Sequence, residues 1–157
     1  MTTLIGIAAA VVLVVVILAV GFVVGMRRRS PLVHRPMFWI QRRWLNPKQM
    51  RTAGQRGAYA GIIRHRGRRT GRAYETPVGV VVSGDDFLIL LPYGRRSSWL
   101  RNVLASGSAE IEHEGGRYDV KDPAIVPMAR FHDHFTQSDR ILGRLFGTHE
   151  CLRLTRS

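Results

Sequence analysis

An uninterrupted apolar run near the start of the chain limits what the rest can fold into. From Leu4 to Val24, 21 consecutive positions carry no charged or polar side chain. As a helix rising about 1.5 Å per residue, this run is roughly 30 Å long, which matches the hydrocarbon thickness of a bilayer. The run therefore predicts a transmembrane anchor with a basic stop, residues 1–29, and leaves 30–157 for one small domain.

A cleavable signal peptide is the competing interpretation. Against it, no basic residue precedes the run, its apolar length is too great, and no small-x-small cleavage site comes before Arg27-Arg28-Arg29. These arginines follow the run directly, whereas Met1-Thr2-Thr3 is uncharged. The positive-inside bias thus predicts a single-pass protein of the cell membrane with its C-terminal domain in the cytoplasm.

Charge is divided unevenly along the chain. Residues 1–74 contain 14 Lys or Arg and no acid, whereas 75–157 contain 10 basic and 11 acidic residues, so the net charge of +13 is local. A basic half beside a membrane anchor predicts attraction to anionic lipids. Nucleic acid is the other generic partner, but no nucleic-acid-binding motif occurs and the anchor argues against it. Cys151 is the only cysteine, which excludes a disulfide framework and agrees with a reducing compartment.

Residues 30–57 are predicted as a juxtamembrane helix and linker. Pro31 to Leu45 mixes Phe38, Trp39 and Trp44 with arginines, which suits a helix at the membrane surface or a helix packed on the domain. Asn46-Pro47 is predicted to end this helix, and a polar connection from Lys48 to Gly57 follows.

In the remaining domain, 58–157, the sequence predicts six strands and two helices. Apolar runs and alternation between turn signals place the strands at Ala58 to His65, Ala73 to Ser83, Phe87 to Leu91, Ala109 to His113, Arg117 to Val126 and Glu150 to Thr155. A helix is predicted at Ser98 to Ser106, capped by Ser97 or Ser98 and burying Leu100, Val103 and Leu104; another is predicted at Pro127 to Gln137. The fold class expected is mainly β with a few helices (α+β): a closed or split barrel of about six antiparallel strands, preceded by one transmembrane helix.

Two glycine-containing basic loops could bind an anion. Gly67-Arg68-Arg69-Thr70-Gly71 forms the tip of the first predicted hairpin, where glycines allow a close backbone approach and arginines donate to phosphate or carboxylate. Tyr93-Gly94-Arg95-Arg96 runs into the N-terminus of the predicted helix, which also favours anions. Trp99 and Asn102 share a face of that helix and offer a stacking plane and an amide. Together the loops suit a long phosphorylated cofactor, whereas the residues of the hairpin tip alone are more typical of a solvated basic turn.

No pattern for hydrolytic or metal chemistry is present in the sequence. His132 and His134 are two apart, which on a helix points them to different faces and is poor geometry for one metal ion. His65, His113 and His149 are isolated in sequence, and no nucleophile elbow, zinc-protease motif or Walker loop occurs. The sequence therefore assigns no catalytic residue and no metal site.

Three segments in order resemble the deazaflavin-dependent nitroreductase and quinone reductase family of actinobacteria. They are Gly67-Arg68-Arg69-Thr70-Gly71, then Thr76-Pro77-Val78, and finally, after a glycine turn and an apolar strand, Trp99-Leu100-Arg101-Asn102-Val103-Leu104-Ala105-Ser106-Gly107. The family pattern is Gly-Arg-Lys-Ser-Gly, a Thr-Pro-Leu-like segment and Trp-x-x-Asn-Leu-x-Ala-Asn-Pro. The resemblance covers about Ala58 to Val126.

This resemblance implies a split β-barrel that binds coenzyme F-420, an 8-hydroxy-5-deazaflavin, and passes a hydride from it to an acceptor. The cofactor-binding residues implied are Arg68, Arg69, Thr70 and Gly71 at the phosphate or polyglutamate tail; Thr76, Pro77 and Val78 along the ring; Tyr93 and Gly94 around the phosphate; and Trp99 and Asn102 from the helix.

The chain also departs from the family pattern. The loop between Gly94 and Trp99 is short, and the substrate-side tyrosines near the C-terminus are unmatched, since Phe131, Phe135 and Phe146 offer aromatic walls without hydroxyls. A lipophilic acceptor such as a quinone is therefore expected rather than a nitro compound, because a tethered domain meets membrane substrates at raised effective concentration. The alternatives are a barrel that binds FMN or haem, and a non-catalytic basic module that binds anionic lipids through Arg27 to Arg43.

Overall fold

The computed structural model of the chain describes residues 2–28, 30–40 and 46–157. Three helices come first: α1 (Thr2–Arg27), α2 (Pro31–Ile40) and the short α3 (Asn46–Gln49). The strands and two later helices follow in the order β1 (Ala60–Arg66), β2 (Ala73–Ser83), β3 (Asp86–Leu90), α4 (Ser98–Ser106), β4 (Ser108–His113), β5 (Gly116–Pro127), α5 (Gln137–Phe146) and β6 (Glu150–Arg156).

The six strands form a closed antiparallel barrel in the order β1-β2-β3-β6-β5-β4, with β4 returning to pair with β1. This confirms the predicted α+β class and the six-stranded barrel. The barrel interior is apolar because alternate residues of each strand point inward, and it contains Ile63, Ile111, Leu152 and Leu154, each with no exposed surface. α4 packs Leu100 and Val103 onto this core, so its position is fixed relative to the strands.

Tight turns set the strand register. Gly84 (φ +60°) lies in the turn between β2 and β3, and Glu114 with Gly115 adopts positive φ between β4 and β5. β5 pairs with both β4 and β6, and its pairing with β6 shifts register between Lys121 and Ala124, where Asp122 has φ +53°. This bulge lets one 12-residue strand follow the curvature that closes the barrel.

One arginine ties three strands together on the outside of the barrel. The guanidinium of Arg64 on β1 lies 2.7 Å from a carboxylate oxygen of each of Glu75, Glu110 and Glu112. These ion pairs cross from β2 through β1 to β4 and hold the wall next to the first hairpin. Arg64 is therefore occupied within the sheet, and four arginines are left for the hairpin tip.

Three features of the chain differ from the sequence-based predictions. Pro127 ends β5 rather than opening a helix, and a 3-10 segment covers Met128–His134. Helix α5, which was not predicted, follows and is capped by Thr136. Asn46 begins the short α3 instead of ending the preceding helix; the predicted aromatic and basic residues at 41–45 lie outside the described residues.

Two details of α4 also differ from expectation. Leu104 is exposed, so the buried face consists of Leu100, Asn102 and Val103. Ser97 occupies the N-cap position without a capping side-chain hydrogen bond, and its hydroxyl donates instead to the carbonyl of Gly94. The helix ends at Gly107, whose left-handed conformation (φ +74°) lets its N–H reach the carbonyl of Val103.

Helix α1 has the length and composition of a membrane-spanning helix. An 18-residue stretch within Ile5–Arg27 has a mean hydropathy of 3.3 and contains no buried residue, whereas Met26, near the end of the helix, is buried. Only its C-terminal end makes contacts: Gly25 packs against Val33 of α2, and Phe22 meets Phe146 of α5 edge to face. The apolar side chains along the rest of α1 are exposed.

Candidate functional site

A cleft of about 800 Å³ opens on one side of the barrel. Its walls come from β1 and β2, the loop that follows β3, the first turns of α4, and the C-terminal half of α5. Six residues that the sequence assigned to cofactor binding line it: Thr76, Pro77, Val78, Tyr93, Trp99 and Asn102. The cleft thus brings together residues from three segments that are far apart in the chain.

Strand β2 supplies the flat side of the cleft. Pro77 and Val78 are buried and Thr76 is half-buried, and all three residues line the cleft. In the pairing of β1 with β2, Pro77 lies opposite Ile62, and the adjacent Thr76 lies opposite Ile63. A wall made of strand residues is rigid, which suits the positioning of a planar ligand.

Helix α4 supplies the facing side. Trp99 is half-buried against the barrel core and also lines the cleft, so its ring is held in place. Asn102, one turn further along, is buried with only 6% of its surface exposed. The loop before the helix adds Arg96, Ser97 and Ser98 to the rim, which places a cation and the free N–H groups of the helix N-terminus at the cleft.

A chain of hydrogen bonds links the basic hairpin tip to the cleft. Oδ1 of Asn102 accepts from the backbone N–H of Arg68 (3.3 Å) and from its Nη1 (2.9 Å). Because Arg68 can only donate, the amide nitrogen of Asn102 faces His65, and it lies 3.3 Å from Nδ1. Nε2 of His65 then lies 3.4 Å from the hydroxyl of Thr76. Sequence motifs from the tip, helix and strand are therefore joined through one histidine.

This arrangement fixes the tautomer of His65. Since Asn102 donates to Nδ1, the ring proton of neutral His65 lies on Nε2 and points to Thr76. Burial lowers the pKa of His65 below its ordinary value of 6.5, because the charged ring would lose its hydration. Tyr74 stacks on the imidazole with ring centroids 5.7 Å apart, which covers it from solvent. His65 is therefore a neutral donor at neutral pH.

The hairpin tip lies beside the cleft rather than in its wall. Gly71 takes a left-handed conformation (φ +65°), and Gly67 fits closely against Tyr74 and Thr70. Arg69 and Thr70 are exposed at this tip. Among the residues that the structure describes, the arginines of the tip form no salt bridge with a carboxylate: Arg66, Arg68, Arg69 and Arg72. The tip is a concentration of uncompensated positive charge anchored to the cleft by Arg68.

The loop after β3 splits its residues between two cavities. Tyr93 and Arg96 line the large cleft, and burial raises the pKa of the Tyr93 phenol above 10, so that it stays protonated. Gly94 (φ +65°) instead lines a neighbouring cavity of about 340 Å³, where Arg95 pairs with Glu150. Gly94 therefore shapes the turn that presents Tyr93 and Arg96.

Several cleft residues were missed by sequence reasoning. His65 is isolated in sequence, whereas in the structure it lies opposite Tyr74 in the pairing of β1 with β2. Tyr59 lines the rim, and its hydroxyl donates to Oδ1 of Asp139 at 3.1 Å. Leu142 comes from α5, the helix that was not predicted, and so does Phe146, which was expected as an aromatic wall and does line the cleft. Phe131 and Phe135, expected as aromatic walls, belong to a separate core cluster around Leu88.

The barrel and its cleft define a small six-stranded antiparallel barrel with an open cavity beside its strands. The profile of the family described as F420H(2)-dependent quinone reductase matches residues 41–137, more than half of the chain. The chain belongs to this family of oxidoreductases, whose reductant is the reduced deazaflavin coenzyme F-420.

The chain also matches several solved structures at low sequence identity. An F420-H2 dependent reductase, FDR-A, is 10% identical and matches with a TM-score of 0.40, covering 61% of this chain and 93% of that one. An F420 reductase is 10% identical with a TM-score of 0.43, covering 68% and 91%. HutZ, a haem storage protein from Vibrio cholerae, is 13% identical with a TM-score of 0.44, covering 71% and 87%. No protein of curated function matches the chain in sequence.

Proposed function

We propose that the cleft binds coenzyme F-420 and that a hydride passes there from the reduced cofactor to a lipophilic acceptor such as a quinone. The observation that carries this proposal is the hydrogen-bonded path from Arg68 through Asn102 and His65 to Thr76. It couples an anion-attracting tip to a strand wall, which is the layout required by a cofactor with a planar ring and an anionic tail.

The residues present fit the deazaflavin. Pro77, Val78 and Trp99 give two apolar surfaces that face a cleft large enough for a planar tricyclic ring, at about 800 Å³. The tail is anionic, and Arg69 belongs to the basic tip, which the hydrogen bonds between Arg68 and Asn102 join to the cleft. Arg96 and the N-terminus of α4 offer a second place for negative charge. Gly71 allows the tip backbone to turn without a side chain in the way.

The bound cofactor supplies the hydride, and the protein supplies binding, orientation and exclusion of water. His65 donates to the oxygen of Thr76, so the hydroxyl proton of Thr76 is left to point into the cleft and donate to a bound carbonyl. Trp99 and Val78, which both line the cleft, would hold the ring and limit its rotation. Tyr93, a phenol whose pKa burial raises further above neutral pH, lies at the rim in its protonated form.

We further propose that α1 anchors the domain in the cell membrane with the barrel on the cytoplasmic side. Its length and hydropathy allow a single crossing, and Arg27 and Arg28 lie at the barrel end of the helix. Cytoplasmic arginines at this end agree with the positive-inside bias and would contact anionic lipid headgroups. A quinone dissolved in the bilayer would then be close to the cleft.

The test uses the full chain in lipid nanodiscs. Titration with the deazaflavin, followed by fluorescence quenching, measures binding, and loss of the reduced cofactor's absorbance on adding a menaquinone analogue measures turnover. Thr76→Val keeps the shape of the side chain but removes its hydroxyl, so we expect turnover to fall about tenfold with binding little changed. Arg101→Ala, on the exposed side of α4, is the matched control.

Three results would overturn the proposal. The first is a chain that neither binds the deazaflavin nor oxidises its reduced form. The second is a bound flavin or haem spectrum in the protein as isolated, which would identify a different cofactor. The third is liposome binding that survives Arg69→Ala with Asn102→Ala while no cofactor binds, which is the behaviour of a non-catalytic lipid-binding module.

A further inference from the structure

Helix α5 presents an apolar face that the barrel does not cover. Ile141, Leu142 and Leu145 are 53%, 43% and 41% exposed. The helix is nevertheless firmly held, because Thr136 and Asp139 form a reciprocal capping box and Asp139 also accepts the hydroxyl of Tyr59. An exposed apolar face on a fixed helix points to a partner that the described chain does not itself provide.

The composition of this face suits a membrane interface. With 3.6 residues per turn, Ile141, Leu145, Leu142 and Phe146 follow one another around about 140° of the helix. Arg140 and Arg144 occupy one flank of this sector, and the buried Asp139 and Gly143 face the barrel. An apolar sector bordered by arginines is the pattern of helices that lie in the plane of a bilayer surface.

The contacts of α5 with α1 give the depth of the helix. Phe146 meets Phe22 with ring centroids 6.4 Å apart, and Gly147 lies beside Arg27. Phe22 is five residues before Arg27, which is about 7.5 Å along the axis of α1 toward the bilayer centre. If α1 spans the membrane with Arg27 at the headgroups, the end of α5 lies at the boundary between headgroups and acyl chains. This position is within the depth of about 5–10 Å that is typical of interfacial helices.

The same helix borders the cleft. Leu142, Gly143 and Phe146 line it, while Ile141 and Leu145 lie next to them on the outward side. An apolar surface thus continues from the outside of α5, around Leu142 and Phe146, into the cleft. A hydrophobic molecule could follow this surface without crossing an aqueous region.

We propose that α5 is embedded in the bilayer interface and forms an entrance through which a lipid-soluble acceptor passes from the acyl chains into the cleft. This inference rests on the proposed function, since it assumes that α1 spans the membrane and that the cleft holds the reacting centre. A second copy of the chain fits this face less well, because a stable protein interface needs about 20–30 residues on each side and the exposed apolar face offers three side chains.

The depth of α5 can be measured without cofactor or turnover. Leu145→Cys in the full chain is spin-labelled in nanodiscs of mixed neutral and anionic lipid, and its accessibility to oxygen and to a water-soluble nickel chelate is compared. Cys151 has no exposed surface and burial raises the pKa of its thiol to about 11, so it is left unlabelled. We expect oxygen to dominate at Leu145 and nickel to dominate at the control Leu104→Cys on α4.

Nickel accessibility at Leu145 equal to that at Leu104 would overturn the proposal. Dipolar broadening between labels at Leu145, which appears only if two chains meet through α5, would overturn it as well. Neither result depends on cofactor binding, so each can be told apart from a failure of the proposed function, which the deazaflavin titration measures in the same sample.

The entrance itself is tested by comparing two quinones. Ile141→Asn with Leu145→Asn alters the outward face and leaves the cleft residues unchanged. With a long-tailed quinone in the nanodisc lipid, we expect the apparent KM to rise about tenfold. With a short-tailed, water-soluble quinone and with deazaflavin binding, we expect no change. Equal losses for both quinones, or no loss for either, would show that the acceptor does not enter past α5.

Discussion

Replacing Asn102 with alanine tests the hydrogen-bonded path at its centre. The side chain is 6% exposed and its amide joins Arg68 of the hairpin tip to His65 of β1. Asn102→Ala removes all three hydrogen bonds at once. It leaves the imidazole Nδ1 buried without a donor, whereas the guanidinium of Arg68 lies near the exposed tip and can be hydrated again.

The magnitude follows from these two outcomes. A buried acceptor left unsatisfied costs about 1–3 kcal/mol, and the bonds to Arg68 contribute roughly 0.5–1.5 kcal/mol net. The variant should therefore lose about 2–4 kcal/mol of unfolding free energy. For a chain of this length, about 3 °C per kcal/mol is expected, so the melting temperature should fall by roughly 6–12 °C. Because Arg68 and Thr76 lose their fixed positions, the affinity for the deazaflavin should fall about tenfold.

Thermal unfolding of the full chain in detergent, followed by near-ultraviolet circular dichroism, measures the first effect, and fluorescence titration measures the second. Arg101→Ala, on the exposed side of the same helix, controls for changes in helix propensity. Asn102→Asp keeps the shape but places a carboxylate against Nδ1, so the pKa of His65 should rise, as read from its ring nitrogen shifts. If the melting temperature of Asn102→Ala lies within about 2 °C of that of Arg101→Ala, the reasoning is refuted.

Three further predictions concern the tip, the histidine and α5. Arg69→Ala should weaken deazaflavin binding about fivefold at low salt and less at high salt, whereas the distant, exposed Arg130→Ala should not; equal effects would refute a local role for the tip. Because burial lowers the pKa of His65, the unfolded chain binds more protons than the folded chain as the pH falls below about 6.5. The melting temperature should therefore fall as the pH decreases below 6.5, and His65→Asn should make this dependence on pH weaker. A pH dependence that is unchanged in His65→Asn would contradict the prediction. Thr136→Ala should destabilise α5 by about 1 kcal/mol, measured by faster amide exchange at Asp139, and unchanged exchange would argue against the cap.

Local signals explain which elements the sequence predicts well. The predicted bounds of β2 and α4 agree with the structure. Apolar residues alternate along β2, which is bounded by the glycine-containing tip on one side and a glycine turn on the other, and α4 ends at Gly107. The barrel class follows from the number and spacing of such strands. The division of the chain into an anchor (1–29), a juxtamembrane helix with linker (30–57) and a barrel domain (58–157) remains a prediction.

The missed elements depend on contacts that a sequence pattern does not contain. Helix α5 was not predicted, although two signals were available: its apolar residues recur at helical spacing, and Thr136 with Asp139 forms its cap. What the sequence does not contain is that much of this apolar face stays exposed. Leu104 was expected in the core but is exposed, because the neighbouring Asn102 turns inward to His65. His65 gains its role only when three elements meet.

The position of β6 has a consequence for how the chain assembles during synthesis. It pairs with β3 on one side and β5 on the other, although β3 lies about 60 residues earlier. Until β6 has left the ribosome, the other five strands can form only an open sheet with β3 and β5 as unpaired edges. Such edges readily pair with other chains, and α1, if it anchors the chain as proposed, would hold many nascent copies on one membrane surface. The emergence of β6 from the ribosome is thus the step that closes the barrel and removes both edges.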